Sequence, residues 1–542
     1  MTVVHSRRRA TRIMLVGLAA VPIGFLLVTY VVPVGVLVDR VLADAGWSVV
    51  ADTFGDTRLA RIAAITLAQA VVSTALALVV GVPGAWVHAR LRHRGRRAIW
   101  LVGVVPFVLP TVVVAAGFLA VTGADGLGRG DVATWALVIV AQVAVNVAVV
   151  VRTVATRLAT IDARIEAVAR SLGASRTRAA WLSIRAAADA VSGAAVIVFL
   201  FCFTSFGLVV VLGGGAVTTV EVEIWYLTTR LFRLDAATVL ALAQLGLVAM
   251  VLWGYERGRR RRSRAPAVVG VRRRAADGPA ERVLVVVVVG VQALLAGVPL
   301  GALALRSLRV GDGWGFDHYA ALGRTVRGTA LAISPLEAVA NSIAVGVTAA
   351  VLACAVALPA VAIMTRGGRG GRILDLALLL PLATSAATVG FGIFVAYRSD
   401  PLDLRGSWWA LPLVEATIAV PLVVRSVLPT AGSIDPRILD AAAVLGASPR
   451  RRFREIVVPL VRPAVLASAA LGFAIALGEF GAASFLSRSD RLTAPQVVHR
   501  LLGRPGDANM GQAMALGCLL AVITAGVFAA IEAGRGGRAL EF

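Results

Sequence analysis

Apolar and polar positions along this chain segregate into long blocks. Runs of apolar residues fall near 13–38, 62–88, 98–122, 132–151, 187–212 and 236–254, and again near 283–306, 337–364, 373–397, 408–428, 463–486 and 511–532. Each approaches the roughly 20 residues needed to cross a ~30 Å hydrocarbon core as helix. Backbone groups in lipid must bond within their own segment, so the runs read as helices, whereas a barrel would show short alternating segments. The pattern predicts an all-α integral membrane protein of about twelve transmembrane helices, six in each half. An even number of spans per half gives both halves the same orientation, hence parallel repeats about an axis along the membrane normal.

The polar blocks carry the repeat. Ile161-Asp-Ala-Arg-Ile-Glu-Ala-Val-Ala-Arg-Ser-Leu-Gly-Ala-Ser175 returns, offset by 273 positions, as Ile434-Asp-Pro-Arg-Ile-Leu-Asp-Ala-Ala-Ala-Val-Leu-Gly-Ala-Ser448. Val150-Val-Arg152 and Val423-Val-Arg425 keep the same offset, and Ser205-Phe-Gly207 matches Glu479-Phe-Gly481 after one extra residue. The chain therefore divides into a first unit, 1–254, with a polar loop at 161–185, and a second unit, 283–542, with its loop at 434–462. The segment 255–282 between them is Arg-, Gly- and Pro-containing and joins the units without folding into a third domain.

Within the second loop, Asp435-Pro436 is a cap followed by a first-turn proline, which favours a helix start. Ile438, Ala441, Ala442 and Leu445 share one helical face. Gly446 supplies the left-handed stop, and Ser448-Pro449 starts a second helix. The first loop places Asp162, Ile165, Ala169, Leu172, Gly173 and Ser175 alike. Any cytoplasmic loop can hold a short amphipathic helix; two matching copies suit docking to two equivalent grooves on a dimeric partner.

Composition agrees with the membrane reading: 58% of residues are hydrophobic, above the level of ordinary soluble domains. The net charge of +24 is carried by arginine, since the chain has no lysine. Basic patches attract nucleic acid, but here they sit at the termini, at Arg90, Arg92, Arg94, Arg96 and Arg97, and in the linker at Arg259-Arg-Arg-Arg262 and Arg272-Arg-Arg274. The positive-inside rule then puts both termini, the linker and both repeated loops in the cytoplasm, and no nucleic-acid partner is needed. Arg7-Arg-Arg9 precedes an apolar run too long for a signal peptide, so this run reads as a span. Cys202, Cys354 and Cys518 lie far apart in apolar spans, without metal spacing. There is no G-x-x-x-x-G-K-[ST] phosphate loop, so the chain does not bind ATP by that route.

Charges inside spans are costly and usually face protein or water. Glu415 and Glu479 are the clearest cases, as carboxylates on a transport pathway or as groups paired with a neighbouring helix or with water. Gln142 and Asn146 read as interhelical hydrogen bonders. Pro106 and Pro110 would kink the third span. Gly213-Gly-Gly215 serves either a plain turn or a close backbone approach.

Asp440-Ala-Ala-Ala-Val-Leu-Gly446, with Pro459 downstream, resembles the Glu-Ala-Ala loop of permease subunits of ATP-binding-cassette importers. In that family the loop forms a coupling helix seated in a cleft of the cytoplasmic ATPase. The resemblance implies a type I importer permease fold, with coupling residues Glu166, Ala169, Leu172 and Gly173 in the first copy and Asp440, Ala441, Ala442, Leu445, Gly446 and Pro459 in the second. The first copy departs from the pattern. Ala167 holds the acidic position, with Glu166 one place earlier, and Ala186 replaces the distal proline.

The chain is most similar to the fused two-permease subunits of the thiamine and ferric-iron importer group. Phe201-Cys-Phe-Thr-Ser-Phe-Gly207, Leu212-Gly-Gly-Gly215, Thr218-Thr-Val-Glu221 and Leu477-Gly-Glu-Phe-Gly481 look like the thiamine type. With Glu415, taken from its charge inside a span, these stretches make Ser205, Phe206, Gly207, Glu479, Phe480 and Gly481 the candidate pathway residues. The resemblance implies a cytoplasmic ATPase homodimer and an extracytoplasmic solute-binding protein as partners. It implies no bond chemistry, catalytic residue, metal or cofactor in this chain, with ATP used by the partner. The cargo would be thiamine or a related compound, with ferric iron next. The rival reading is an ion-gradient-driven secondary transporter of twelve spans in two halves, which leaves the repeated loops without a purpose.

Overall fold

A computed structural model describes residues 17–93, 103, 105–123, 130–262, 273–324, 331–382, 384–397, 403–404 and 406–534. The first half folds into α1 (Gly17–Ala43), α2 (Thr57–Arg90), α3 (Thr111–Thr122), α4 (Asp131–Leu158), α5 (Arg164–Ser171), α6 (Arg176–Ala186), α7 (Ala188–Phe203), α8 (Gly207–Gly213), α9 (Val220–Thr229) and α10 (Leu234–Gly258). The second comprises α11 (Pro279–Leu308), α12 (Pro335–Met364), α13 (Arg369–Leu382), α14 (Ala386–Ala396), α15 (Ala410–Gly432), α16 (Pro436–Val444), α17 (Pro449–Gly478), α18 (Gly481–Leu486), α19 (Ala494–Leu502) and α20 (Asp507–Gly534). The only strands among the described residues are two-residue pairs, Leu91–Arg92 with Arg274–Ala275 and Arg309–Val310 with Gly313–Trp314.

Nine of these helices, α1, α2, α4, α10, α11, α12, α15, α17 and α20, are long and apolar enough to cross a membrane. The difference from twelve is local: the expected spans near 98–122, 187–212 and 373–397 are broken. In the first, the backbone leaves the helix at Leu109–Pro110 and α3 restarts at Thr111; most of 98–104 lies outside the described residues. Pro110 has no N–H to continue the ladder. In the last, α13 carries Pro381 near its end, and α14 restarts under Ser385, whose hydroxyl accepts from Thr388 N at 3.0 Å. In the middle one, α7 ends at Phe203 and α8 starts at Gly207, and α6 meets α7 at 70° just before the expected span. Broken helices are tolerated at membrane depth when protein surrounds them, and Val112 to Ala120 of α3 are all buried.

The chain packs as two compact units that do not coincide with the sequence repeat. One comprises 1–47, 325–496 and 523–539; the other comprises 48–324, 497–522 and 540–542. The division expected at the linker, 1–254 and 283–542, marks the duplication, whereas the packing exchanges the first span of each half. In one unit α1 lies on α14: the Tyr30 hydroxyl bonds Thr384 Oγ1 at 2.6 Å, Tyr397 donates to the Val28 carbonyl at 2.6 Å, and Gly392 faces Pro33. In the other, α11 lies on α3, with the Pro299 carbonyl 2.8 Å from where a Cβ on Gly117 would stand. Homology of sequence copies says nothing about which helices touch.

Small residues set the close approaches inside each unit, as lipid-embedded packing favours. Ala353, Ala357 and Ala360 of α12 share a core with Ala416 and Ala419 of α15. Both units also use one device at the start of a short helix. Val220 N donates to Thr66 Oγ1 at 3.0 Å, and Ala494 N to Ser342 Oγ at 2.8 Å. The linker clusters at Arg259–Arg262 and Arg272, the N-terminal Arg7–Arg9, and Arg94, Arg96 and Arg97 lie wholly or in their side chains outside the described residues.

Candidate functional site

The two polar loops fold alike. Asp162 Oδ1 accepts from Arg164 N and Asp435 Oδ1 from Arg437 N, both at 2.9 Å, opening α5 and α16. Each helix then stops in the same way. Gly173 N donates to the Arg170 carbonyl and Ala174 N to that of Ala169; Gly446 N and Ala447 N repeat this with Ala443 and Ala442. This is the paired-bond glycine stop, and it needs the left-handed φ of +87° at Gly173 and +82° at Gly446. Ser175 and Ser448 then accept from Arg178 N and Arg451 N, each at 3.3 Å, to start the next helix.

The stops hold apolar side chains outward. Leu172 is 82% and Leu445 87% exposed, and Val168, Val444, Ile165 and Ile438 are exposed with them. Ala441 is exposed and Ala169 and Ala442 half-buried. A cluster of apolar groups held in solvent marks a docking surface. The loops differ downstream. Pro459, exposed, lies in the unbroken α17, after a π turn at Phe453–Val457. Ala186 ends α6 at the 70° bend.

Glu166 does not stand in for Asp440. Asp440 is exposed with no hydrogen bond or ion pair among the described residues. One residue is about 100° around a helix, and that turn carries Glu166 inward, where it is buried. Its Oε1 accepts from Trp86 Nε1 at 3.1 Å and lies 3.2 Å from Arg90 Nε, while Arg90 Nη1 donates to the Ile161 carbonyl at 3.0 Å.

The pathway candidates gather within each unit, far from the loops. Glu415 precedes Gly432 by 17 residues, roughly 26 Å along α15 at 1.5 Å per residue. It is 1% exposed, and neither carboxyl oxygen has a partner among the described residues. Glu479, at the far end of α17, is its electrostatic neighbour and accepts from Gly481 N at 2.6 Å and Ala482 N at 3.3 Å. Gly481 lies against α14: a Cβ there would stand 2.9 Å from Ala387 Cβ. The first half repeats the contact, with Gly207 against the Thr111 hydroxyl at the start of α3. Phe206 packs edge-on against Trp225 at 6.0 Å, Phe480 is buried, and Ser205 is half-buried. Each Phe-Gly turn thus abuts the restart of a broken helix.

Sequence inspection missed that Gln142 occupies the repeat position of Glu415, at the same offset of 273. Gln142 is also buried, with both amide atoms unpartnered among the described residues. Asn146, one turn on, donates to the Gln142 carbonyl at 2.9 Å and to Cys202 Sγ at 3.6 Å. The register of the loops was a sufficient signal for this equivalence.

The family described as binding-protein-dependent transport system inner membrane component matches residues 342–533. The molybdenum transport system permease protein ModB of Haemophilus influenzae is 35% identical over 158 residues, covering 27% of this chain and 68% of that protein. The chain belongs to this permease family. The thiamine transport system permease protein ThiP of Brucella abortus is 27% identical over 490 residues, 86% of each chain. The putative 2-aminoethylphosphonate transport system permease protein PhnV of Salmonella typhimurium is 28% identical over 190 residues, 35% of this chain and 70% of that one. The chain is thus a fused permease of the ATP-binding-cassette importer type, helical and multi-pass in the inner membrane, serving import of a small solute.

Proposed function

We propose that this permease receives its cargo from an extracytoplasmic binding protein and is driven by a cytoplasmic ATPase homodimer docked on α5 and α16. The observation that carries the reading is the duplicate helix–glycine–helix loop holding Leu172 and Leu445 in solvent. A dimeric ATPase offers two equivalent clefts, and closing them on nucleotide would favour one facing of the pathway over the other. ATP binds the partner, and this chain performs no bond chemistry. Both termini, the linker and both loops face the cytoplasm, by the positive-inside rule. Family membership disfavours the gradient-driven alternative.

Thiamine or a related cationic compound is the favoured cargo, with ferric iron next. The similarity to ThiP over 86% of the chain supports it. So does the unpartnered Glu415 carboxyl beside Glu479: a buried carboxyl without a partner holds a proton that an arriving cation can replace. The test is uptake into proteoliposomes carrying the chain, its ATPase and its binding protein, with labelled thiamine and ferric iron in parallel. Uptake that needs internal ATP and falls about tenfold or more in Glu415→Gln, as loss of a buried charge contact predicts, supports the reading. Uptake that follows an imposed ion gradient without ATP would sink it.

A further inference from the structure

The end of the central linker lies along the first coupling loop. Arg274–Ala275 pair in parallel with Leu91–Arg92, just past α2. Arg274 grips Glu281 through two bonds of 2.6 Å, and Glu281 also accepts from Asp277 N at 2.7 Å. The pair holds the Arg274 guanidinium above its ordinary pKa range, so this fork stays charged. The resulting turn aims Asp277 at the loop. Its carboxylate lies 3.0 Å from Arg176 and 3.7 Å from Arg170, and Arg176 also donates to the Asp277 carbonyl. At the neighbouring Gly278, φ is +86° and Arg176 Nη1 stands 3.2 Å from where a Cβ would lie, so a side chain there would crowd the guanidinium. The loop's inner side is held by Glu166 on Trp86 and Arg90. The first loop is therefore gripped from two sides, by the linker and by α2.

Among the described residues the second loop has no such grip. Leu439 stands at the Glu166 position, α16 buries no residue, and Asp440 has no partner among the described residues. Its described side-chain bonds stay within the loop and the start of α17: Arg452 Nη1 to the Leu439 carbonyl at 3.3 Å, and Arg451 to Glu455 at 3.0 Å.

We propose that Asp277 and Glu166 are positioning residues that preset the first coupling loop before any partner docks, leaving the second to adapt on docking. The two ATPase-facing loops would then be unequal by construction, the first a fixed fulcrum and the second the responsive lever. The fulcrum and lever roles rest on the function proposed above; the difference in rigidity does not.

Hydrogen exchange on the full chain in lipid nanodiscs, without partners, tests the rigidity. Amides of α5 are expected to exchange about fivefold more slowly than those of α16, the scale of a small ion-pair network. Asp277→Arg should move α5 part of the way to the rate of α16, the Glu166 contacts holding the rest, and combining it with Arg176→Asp should restore protection, which a merely misfolded variant would not do. Equal rates in the unaltered chain, or no response of α5 to Asp277→Arg, would overturn the proposal. In the assembled transporter, Asp277→Arg should lower cargo moved per ATP by about the same factor, with basal ATP hydrolysis retained and the exchanged pair restoring the ratio. A ratio unmoved by Asp277→Arg would remove the fulcrum role. Absence of ATP-driven uptake by the unaltered protein would instead strike the importer reading, and the exchange data would still judge the linker's grip.

Discussion

At the scale of single residues, the coupling loops depend on two glycines and one buried pair. Gly446 has open space around its Cβ position, so a side chain there meets no clash, only the strain of φ at +82°. That strain is about 1–2 kcal/mol for an ordinary residue and less for asparagine. Gly446→Val should therefore abolish ATP-coupled uptake while leaving membrane-inserted protein, and Gly446→Asn should retain most of it; uptake normalised to protein amount checks this. The Glu166–Arg90 pair is read differently. Breaking a buried pair from one side costs about 3–5 kcal/mol, whereas replacing both partners can be neutral. Glu166→Leu should lower the thermal unfolding midpoint sharply, and Glu166→Leu with Arg90→Leu should recover most of the loss. An additive double variant would show that the pair does not act as a unit.

At the scale of elements, prolines and caps decide where a span becomes two helices. Pro110 was visible as a breaker, but its effect depends on what surrounds it: α3 is buried from Val112 to Ala120, so its broken ladder stays out of lipid. Pro459, by contrast, sits in a helix that continues. Outside the spans, α19 carries a charge-sensitive element. His499 is covered by protein and faces the Arg500 and Arg230 cations, which together pull its pKa from 6.5 to about 4. The folded state therefore holds this ring neutral. Between pH 6.5 and about 4 the unfolded chain binds the extra proton, so stability present above pH 6.5 is lost as pH falls through that window. Thermal unfolding followed from pH 7.5 to 4.5 should show this decline, and His499→Gln should flatten it.

At the scale of the whole molecule, the exchange of first spans makes each packing unit depend on both halves of the chain. Tyr30 and Pro33 of α1 complete the surface of α14, through Thr384 and Gly392. Removing residues 1–47 should therefore speed backbone exchange in α14, in the second half, and leave α3, which rests on Pro299 of α11, at its original rate. If α3 responded instead and α14 did not, the assignment of α1 to the second half's unit would fail. The linker has a corresponding place: it joins the repeats in sequence, and its end also grips the first loop.

What the sequence determined by itself are the properties that are linear along it. Apolar runs of membrane length, the duplication at an offset of 273, and the cap–helix–glycine–cap order of both loops are local or repeated patterns, and the structure keeps that order in both loops. Gln142 as the counterpart of Glu415 was equally open to reading. The tertiary structure alone decided what depends on neighbours distant in the chain. Glu166 turns to Arg90 and Trp86 because of a one-residue shift around a helix, a rotation that matters only once α2 stands beside it. The break before α3 is tolerated because surrounding protein covers that helix from Val112 to Ala120. The first spans change places because packing follows shape and buried contact, to which the order of homologous copies is indifferent.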